Sequence, residues 1–467
     1  MRYESTRGTA PTLDFRDATL AGLASDGGLY VPEAWPTLSA NEIAALAGLS
    51  YAETAARIMT PFVGDTLSAD ELRAMCEAAY GRFSHAAVTP LVQLDQQHFL
   101  LELFHGPTLA FKDVALQFLG LLFERFLTGS DTHLTIVGAT SGDTGSAAID
   151  ALAGREHVDI FMLHPEGRVS DVQRRQMTTV LAPNVHNIAI RGDFDTAQAL
   201  VKAMFNDDAF SQRFTLSAVN SINWARLMAQ VVYYFYAAVR LGAPDRQVAF
   251  SVPTGNFGDV FAGYVAAKMG LPVARLIVAT NVNDILHRAL SAGDYSAGTV
   301  TPTAAPSMDI QVSSNFERLL YDLAARDGGA MADQMRGFES TRAMRLTNAQ
   351  AEGAAALFTS DRVEPGDMSE TMRWACHEAG QVIDPHTAIG LAAARRAGLP
   401  ADVPVVTLAT AHPAKFRDAV ERATGSRPTL PGRVGDLFDR EERYATLDAT
   451  FEAVTAYIAE RAVAKVR

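Results

Sequence analysis

The sequence predicts an α/β protein with two domains built on parallel sheets, preceded by a mainly helical amino-terminal region. Three observations predict it. Residues 1–90 carry a helical pattern once a turn-rich opening has ended at Ser25-Asp-Gly-Gly-Leu-Tyr-Val-Pro32. From Leu91 onward, short β-branched runs alternate with helical stretches, the rhythm of strands covered by helices. That rhythm occurs twice, with Gly242-Ala-Pro244 as punctuation between the two series.

In the first series the strands are read at Leu134–Val137, Ile160–Leu163 and Val185–Ile190, with helices near Gly145–Leu152 and Asp171–Thr179. A long apolar helix, Ala225–Leu241, closes it. Arg226, Gln230 and Arg240 interrupt its apolar surface, so it reads as a buried core helix and not as a membrane span. The second series has strands at Gln247–Val252, Arg275–Ala279 and Val403–Ala409, a helix at Val260–Met269 and a largely helical region at 313–399. The expected divisions are therefore 1–90, 91–242 for a smaller α/β domain, and 243–467 for a larger one. In open α/β sheets ligands bind beyond the carboxyl ends of strands, so the strand-to-loop junctions are where chemistry is sought.

Composition narrows the class. The 467 residues are 48% hydrophobic and 20% charged, as in an ordinary globular protein. A net charge of −13 argues against a nucleic-acid binder, which needs a cationic surface. Cys76 and Cys376 form neither a C-x-x-C pair nor a zinc set, and their scarcity suits a reducing compartment. The first eight residues lack the apolar core of a secretory signal, so a soluble cytoplasmic protein is expected. No heptad seam assigns an oligomeric state.

Three segments carry chemistry. The first, His105-Gly-Pro-Thr-Leu-Ala-Phe-Lys112-Asp113, puts one lysine after a Gly-Pro turn in apolar surroundings. Lysine is the usual carrier of a Schiff base, and desolvation frees its amine to attack a carbonyl. The plain alternative is a surface lysine paired with Asp113. In the second, the strand from Leu134 runs into Thr140-Ser-Gly-Asp-Thr-Gly145 and an alanine-rich helix. Exposed amides at such a helix start favour a carboxylate or phosphate, and Ser141 and Thr144 add hydroxyls. Here the alternative is an ordinary cap made by Ser141 or Asp143. The third, Thr254-Gly-Asn-Phe-Gly-Asp259, repeats the strand–turn–helix plan with glycines that let the backbone approach a phosphate. It is neither a Walker A loop nor a dinucleotide fingerprint. A further strand ends at Thr410-Ala-His412-Pro, where a neutral hydroxyl could face a pyridine nitrogen. One lysine and two anion cradles are the minimum equipment of a pyridoxal-phosphate enzyme.

With these segments in place, the chain resembles the threonine synthases, pyridoxal-phosphate enzymes of the tryptophan-synthase-β fold type, and most closely their longer, bacterial-and-fungal-type branch. The resemblance also rests on Ser5-Thr-Arg-Gly8, Gly22–Pro32, Asn220-Ser-Ile-Asn-Trp224, Ser307-Met-Asp-Ile310, Asp384-Pro-His-Thr387 and Thr410–Phe416. It implies pyridoxal phosphate held in a cleft between the two α/β domains. Lys112 matches the lysine that bonds the cofactor, Gly255, Asn256, Phe257 and Gly258 the loop for its phosphate, and Thr410 the hydroxyl at the ring nitrogen. Ser141, Gly142, Asp143 and Thr144 match the loop that receives the substrate carboxylate and nears the cofactor's phenolic oxygen. Asp143 stands where related branches carry asparagine. Asn220, Ser221, Asn223, Arg226 and Arg168 are candidates for the substrate phosphate. The implied reaction turns O-phospho-L-homoserine and water into L-threonine and phosphate. A phospho-amino-acid lyase or a serine/threonine dehydratase of the same fold is the alternative.

Overall fold

The computed structural model describes residues 1–463, which fall into two compact units. The first joins Met1–Gly106 to Ser221–Pro428, and the second joins Pro107–Asn220 to the chain from Thr429 onward.

The second unit is built on a wholly parallel five-stranded sheet. In spatial order its strands are Ala445–Leu447, Val185–Ile190, Val158–Pro165, Leu134–Ala139 and Thr215–Ser217. Val158–Pro165, the middle strand, is buried along its whole length, as a strand covered on both faces must be. Phe161, Leu163, Ile188 and Ile190 pack with Leu200 and Met204 of helix Phe194–Asn206, and with Val454 and Ile458 of helix Phe451–Ala459. The carboxyl-terminal segment therefore completes this core.

The first unit carries a six-stranded sheet in the order Phe358–Arg362, Val273–Thr280, Val248–Pro253, Val405–Ala409, His98–Glu102 and Leu91–Gln93. All neighbours are parallel except the last pair. Ile277, Ala279, Ile389, Leu391 and Val405 lie in its core. Helix Trp224–Arg240 is buried from Trp224 to Val239 and docks on helix Gly258–Lys268 through the Tyr234 hydroxyl, which donates to the Asp259 carbonyl at 2.9 Å. Among the described residues no helix is long and apolar enough to cross a membrane.

The amino-terminal region is mainly helical, as expected. Ser39, Ser50 and Ser68 each start a helix in a reciprocal capping box with a glutamate three residues on. A short antiparallel pair, Tyr3–Ser5 with Tyr30–Pro32, ties its opening together.

The unit boundaries differ from the expected 1–90, 91–242 and 243–467. Strand His98–Glu102 pairs with Val405–Ala409, and Arg7 forms an ion pair with Glu317 at 3.1 Å. These contacts draw residues 1–106 into the first unit. Helix Trp224–Arg240 joins it through Asp259, whereas strand Ala445–Leu447 pairs with Val185–Ile190 and returns the chain's end to the second unit. Strand Phe358–Arg362 was hidden in the region read as helical, because a sheet-edge strand with one fully buried residue carries no apolar run.

Candidate active site

Lys112 opens a sixteen-residue helix, Lys112–Leu127, and is only 8% exposed. Asp113 follows it in the chain. That carboxylate, fully buried, accepts from the Thr108 amide at 2.8 Å and the Thr108 hydroxyl at 2.6 Å. Gln176 donates to the Thr108 carbonyl at 2.9 Å, and Leu109 takes a left-handed φ of 64°. The turn is thus fixed by its own acid. The Lys112 ammonium lies 4.7 Å from the Phe111 ring centroid and 3.6 Å from Asp143 Oδ2. At 3.6 Å the contact is ionic but too long for a charge-assisted hydrogen bond.

Asp143 is the first residue of helix Asp143–Leu152 and is itself anchored, with Oδ1 accepting from Gln173 Nε2 at 2.8 Å. Neither Ser141 nor Asp143 caps this helix. The buried Thr140 hydroxyl does so from within the turn, accepting the amides of Gly142 and Gly145 at 2.9 Å each. Gly142 sits at φ 137°, and a Cβ there would lie 2.6 Å from the Gln173 side chain, so glycine is required twice over. The Ser141 and Thr144 amides and hydroxyls have no partner among the described residues. Ser141 is exposed and Thr144 half-buried, so these donors face outward from the turn. Arg168 is exposed on the loop after strand Val158–Pro165, and Asn220 is half-buried at the end of the unit.

In the first unit, strand Val248–Pro253 leads through Thr254 into helix Gly258–Lys268. The carbonyls of the intervening loop are held from behind. Gly255 O accepts the Ser313 hydroxyl at 2.7 Å, and Asn256 O accepts both the amide and the side-chain Nδ2 of Asn315 at 3.1 Å. Phe257 supplies the left-handed residue, at φ 64°, and its buried ring packs edge-on against Phe316. The glycines supply space. A Cβ on Gly255 would come within 2.6 Å of the Ser307 carbonyl. With the carbonyls tied back, the four amides of Gly255, Asn256, Phe257 and Gly258 have no acceptor among the described residues. Four free donors at the start of an eleven-residue helix form an anion cradle.

Thr410 follows strand Val405–Ala409 at 6% exposure, and its hydroxyl has no partner among the described residues. His412, in contrast, is a structural cap whose Nδ1 accepts the Ala414 amide at 3.1 Å.

The segment 221–226 separates the remaining candidates. Asn223 is spent at both ends of its side chain, donating to the Thr19 carbonyl at 2.8 Å and accepting the Ala225 amide at 3.0 Å. It caps helix Trp224–Arg240 and is 2% exposed. Ser221 lies near Ser314, with the two hydroxyl oxygens 3.5 Å apart. Arg226 is only 4% exposed, yet its Nε and Nη1 have no partner among the described residues. Burial pushes its guanidinium down to about 10, so it is charged at neutral pH. A buried charge without a counter-ion is costly by roughly several kcal/mol. The capping role of Thr140 escaped the sequence reading, as did Gln173, Asn315 and Arg318 altogether. Arg318 alone left a signal there, a basic residue set directly against Leu319 and Leu320.

Residues 2–80 match the family model "Threonine synthase N terminus", residues 83–360 "Pyridoxal-phosphate dependent enzyme", and residues 387–458 "Threonine synthase, C-terminal". The chain is 54% identical over 461 residues to a threonine synthase of Pseudomonas aeruginosa, covering 98% of each. Among solved structures, it superposes on PLP-bound threonine synthase from Brucella melitensis with a TM-score of 0.97, at 51% identity and 99% coverage of both chains. The yeast threonine synthase structure follows at 0.93, with 40% identity and 98% coverage of both.

Proposed function

The chain belongs to the threonine synthase family of pyridoxal-phosphate-dependent enzymes, and from that premise we propose that it converts O-phospho-L-homoserine and water to L-threonine and phosphate. The observation that carries the choice of a phosphorylated substrate is the buried, partnerless guanidinium of Arg226. A second anion besides the cofactor's own phosphate gives that charge its partner.

The residues fit the cofactor. The four free amides of Gly255, Asn256, Phe257 and Gly258 suit its phosphate, the unpartnered Thr410 hydroxyl suits its ring nitrogen, and the buried Lys112 amine suits its carbonyl carbon. A neutral hydroxyl leaves the ring nitrogen largely unprotonated and so moderates the electron demand. Bound there, pyridoxal phosphate supplies a ring that accepts negative charge from the substrate's α-carbon.

The remaining work falls to the chain. Ser141 and Thr144, on either side of the turn made by Gly142 and Asp143, receive the substrate carboxylate on free amides and hydroxyls at the start of helix Asp143–Leu152. Lys112, once released, is the general base that takes the proton from Cα and then one from Cβ. Asp143, fixed by Gln173 at 2.8 Å, faces the amine and steadies it whenever it carries a proton. Phosphate departs from Cγ with the electron pair of the C–O bond, and Arg226 with Ser221 receives its growing charge. Arg168 and Asn220 stand as further contacts for that phosphate. A proton returned by Lys112 makes Cγ the methyl group, water adds its oxygen at Cβ while its proton goes to the released phosphate, and a second proton returned to Cα completes threonine.

The test is product analysis after incubation of the cofactor-loaded protein with O-phospho-L-homoserine. Threonine and phosphate should appear in equal amounts. Phosphate accompanied by a keto acid would identify a lyase instead.

A further inference from the structure

Helix Phe316–Leu323 contains a fully buried arginine that no step above employs. Arg318 donates from Nε and Nη2 to the Tyr30 carbonyl at 3.1 and 2.9 Å, and from Nη2 to the Ile222 carbonyl at 2.6 Å. Its Nη1 donates to Asn315 Oδ1. Every hydrogen-bond acceptor around it is neutral. Burial holds the guanidinium down at about 9, with Glu317 opposing the shift, so it is charged at neutral pH.

A buried cation hydrogen-bonded only to carbonyl oxygens, with the Trp224 ring 5.9 Å away, is a poor choice for stability, because well-packed apolar residues usually do as well or better. What it provides here is direction. With Oδ1 held by Arg318, the Asn315 amide is forced to aim its Nδ2 at two carbonyls, those of Ser221 and Asn256, both at 3.1 Å. The Asn315 backbone amide adds a second bond to Asn256 O at 3.1 Å. One of these carbonyls belongs to the loop whose free amides form the anion cradle. The other, with Ile222 O, belongs to the segment that leads into Arg226. Tyr30, in turn, lies in the opening strand pair. Three separate stretches of sequence therefore meet on one guanidinium and one amide.

We propose that Arg318 and Asn315 are shared positioning residues that set the cofactor-phosphate loop and the substrate-phosphate segment together, so that occupancy of one anion site orders the other. This rests on the reading of loop 255–258 as the cofactor-phosphate site and of Arg226 as the substrate-phosphate receptor. Neither residue touches an anion. Both act by fixing carbonyls, and hence by aiming the amides and the guanidinium on the opposite side of the same backbone.

The experiment uses the full-length chain with Asn315→Ala and Arg318→Lys, and Arg226→Ala as the comparison. The affinity for pyridoxal phosphate and for phosphate-free pyridoxal, and KM and kcat for O-phospho-L-homoserine, are measured for each. Asn315→Ala should weaken pyridoxal phosphate by about tenfold and raise KM by a similar factor, with pyridoxal affinity and kcat changed far less. Arg318→Lys should do the same to a smaller degree, since lysine keeps the charge but not the fork. Arg226→Ala should raise KM and leave cofactor affinity alone. A change in only one of the two affinities, or in melting temperature alone, would overturn the proposal. Wild-type protein binding pyridoxal as tightly as pyridoxal phosphate would instead remove the phosphate-loop reading beneath it. A measurement on the unaltered chain covers the case of variants that do not fold. Adding pyridoxal phosphate to the apoprotein should slow amide exchange at 221–223 and 315–318 as well as at 255–260. Protection confined to 255–260 counts against the coupling.

Discussion

Loops 140–145 and 254–258 each carry a parallel strand into the start of a helix, and each leaves backbone amides without acceptors. They differ in what holds them. In the first, the Thr140 hydroxyl takes the Gly142 and Gly145 amides from inside the turn itself. In the second, the loop's carbonyls are tied back by Ser313 and Asn315, 58 and 59 residues further along the chain. A turn capped from within is a local object that a few residues specify. A turn braced from behind inherits its shape from the rest of the unit, and it can sense what happens elsewhere in that unit. This suits the roles proposed for them, direct contact with a carboxylate in one case and a resident cofactor in the other.

The largest effect expected is at the residue neither loop can replace. Lys112→Ala removes the amine proposed to hold the cofactor and move the protons, so turnover should fall by at least about 10³-fold. The visible absorption band of lysine-bound cofactor should vanish, while the phosphate still binds loop 255–258. Residual activity within tenfold of wild type would sink the assignment.

Next is Arg226→Met. It separates binding from stability in a way few substitutions do. The guanidinium is buried without a partner, so exchanging it for an apolar side chain of similar length removes an uncompensated charge. The apoprotein should lose no stability, and could gain about 1–4 kcal/mol, in thermal or denaturant unfolding. The same change should lower kcat/KM for the phosphorylated substrate by about 10²-fold, the scale for losing one partner of a buried charge pair. An apoprotein that loses several kcal/mol would mean the arginine is structural and that its partner has been missed.

The contrast between the loops also explains which parts of the site were legible in the sequence. Lys112, loop 140–145 and loop 254–258 stand out because each is a short run whose residues act on one another or at a strand end. The central strands at Leu134, Val158, Val185, Val248 and Val273 are apolar enough to announce themselves. What escaped depends on distant partners. Asn315 and Arg318 have meaning only beside Tyr30, Ile222 and Asn256. Strands His98–Glu102 and Ala445–Leu447 are recognisable only by the strands they pair with, and those pairings set the unit boundaries. Asn223 is ambiguous for a different reason. A helix cap and a phosphate ligand ask for the same side-chain amide, and sequence does not separate the two.

Thr140→Val tests the comparison itself with the smallest perturbation. Valine has nearly the shape of threonine, so the contact of the Thr140 methyl with Gly145 survives while the oxygen that accepts two amides is lost. Each orphaned N–H costs about 1–3 kcal/mol if it stays dry, and less where solvent or substrate reaches it. The turn should loosen, and KM for the substrate should rise by about tenfold as the Ser141 and Thr144 donors lose their aim. Affinity for pyridoxal phosphate should stay within about twofold, because the loop assigned to its phosphate is braced by Ser313 and Asn315 and has no bond to Thr140. Equal losses at both would show that the self-capped turn is no more independent than the braced one.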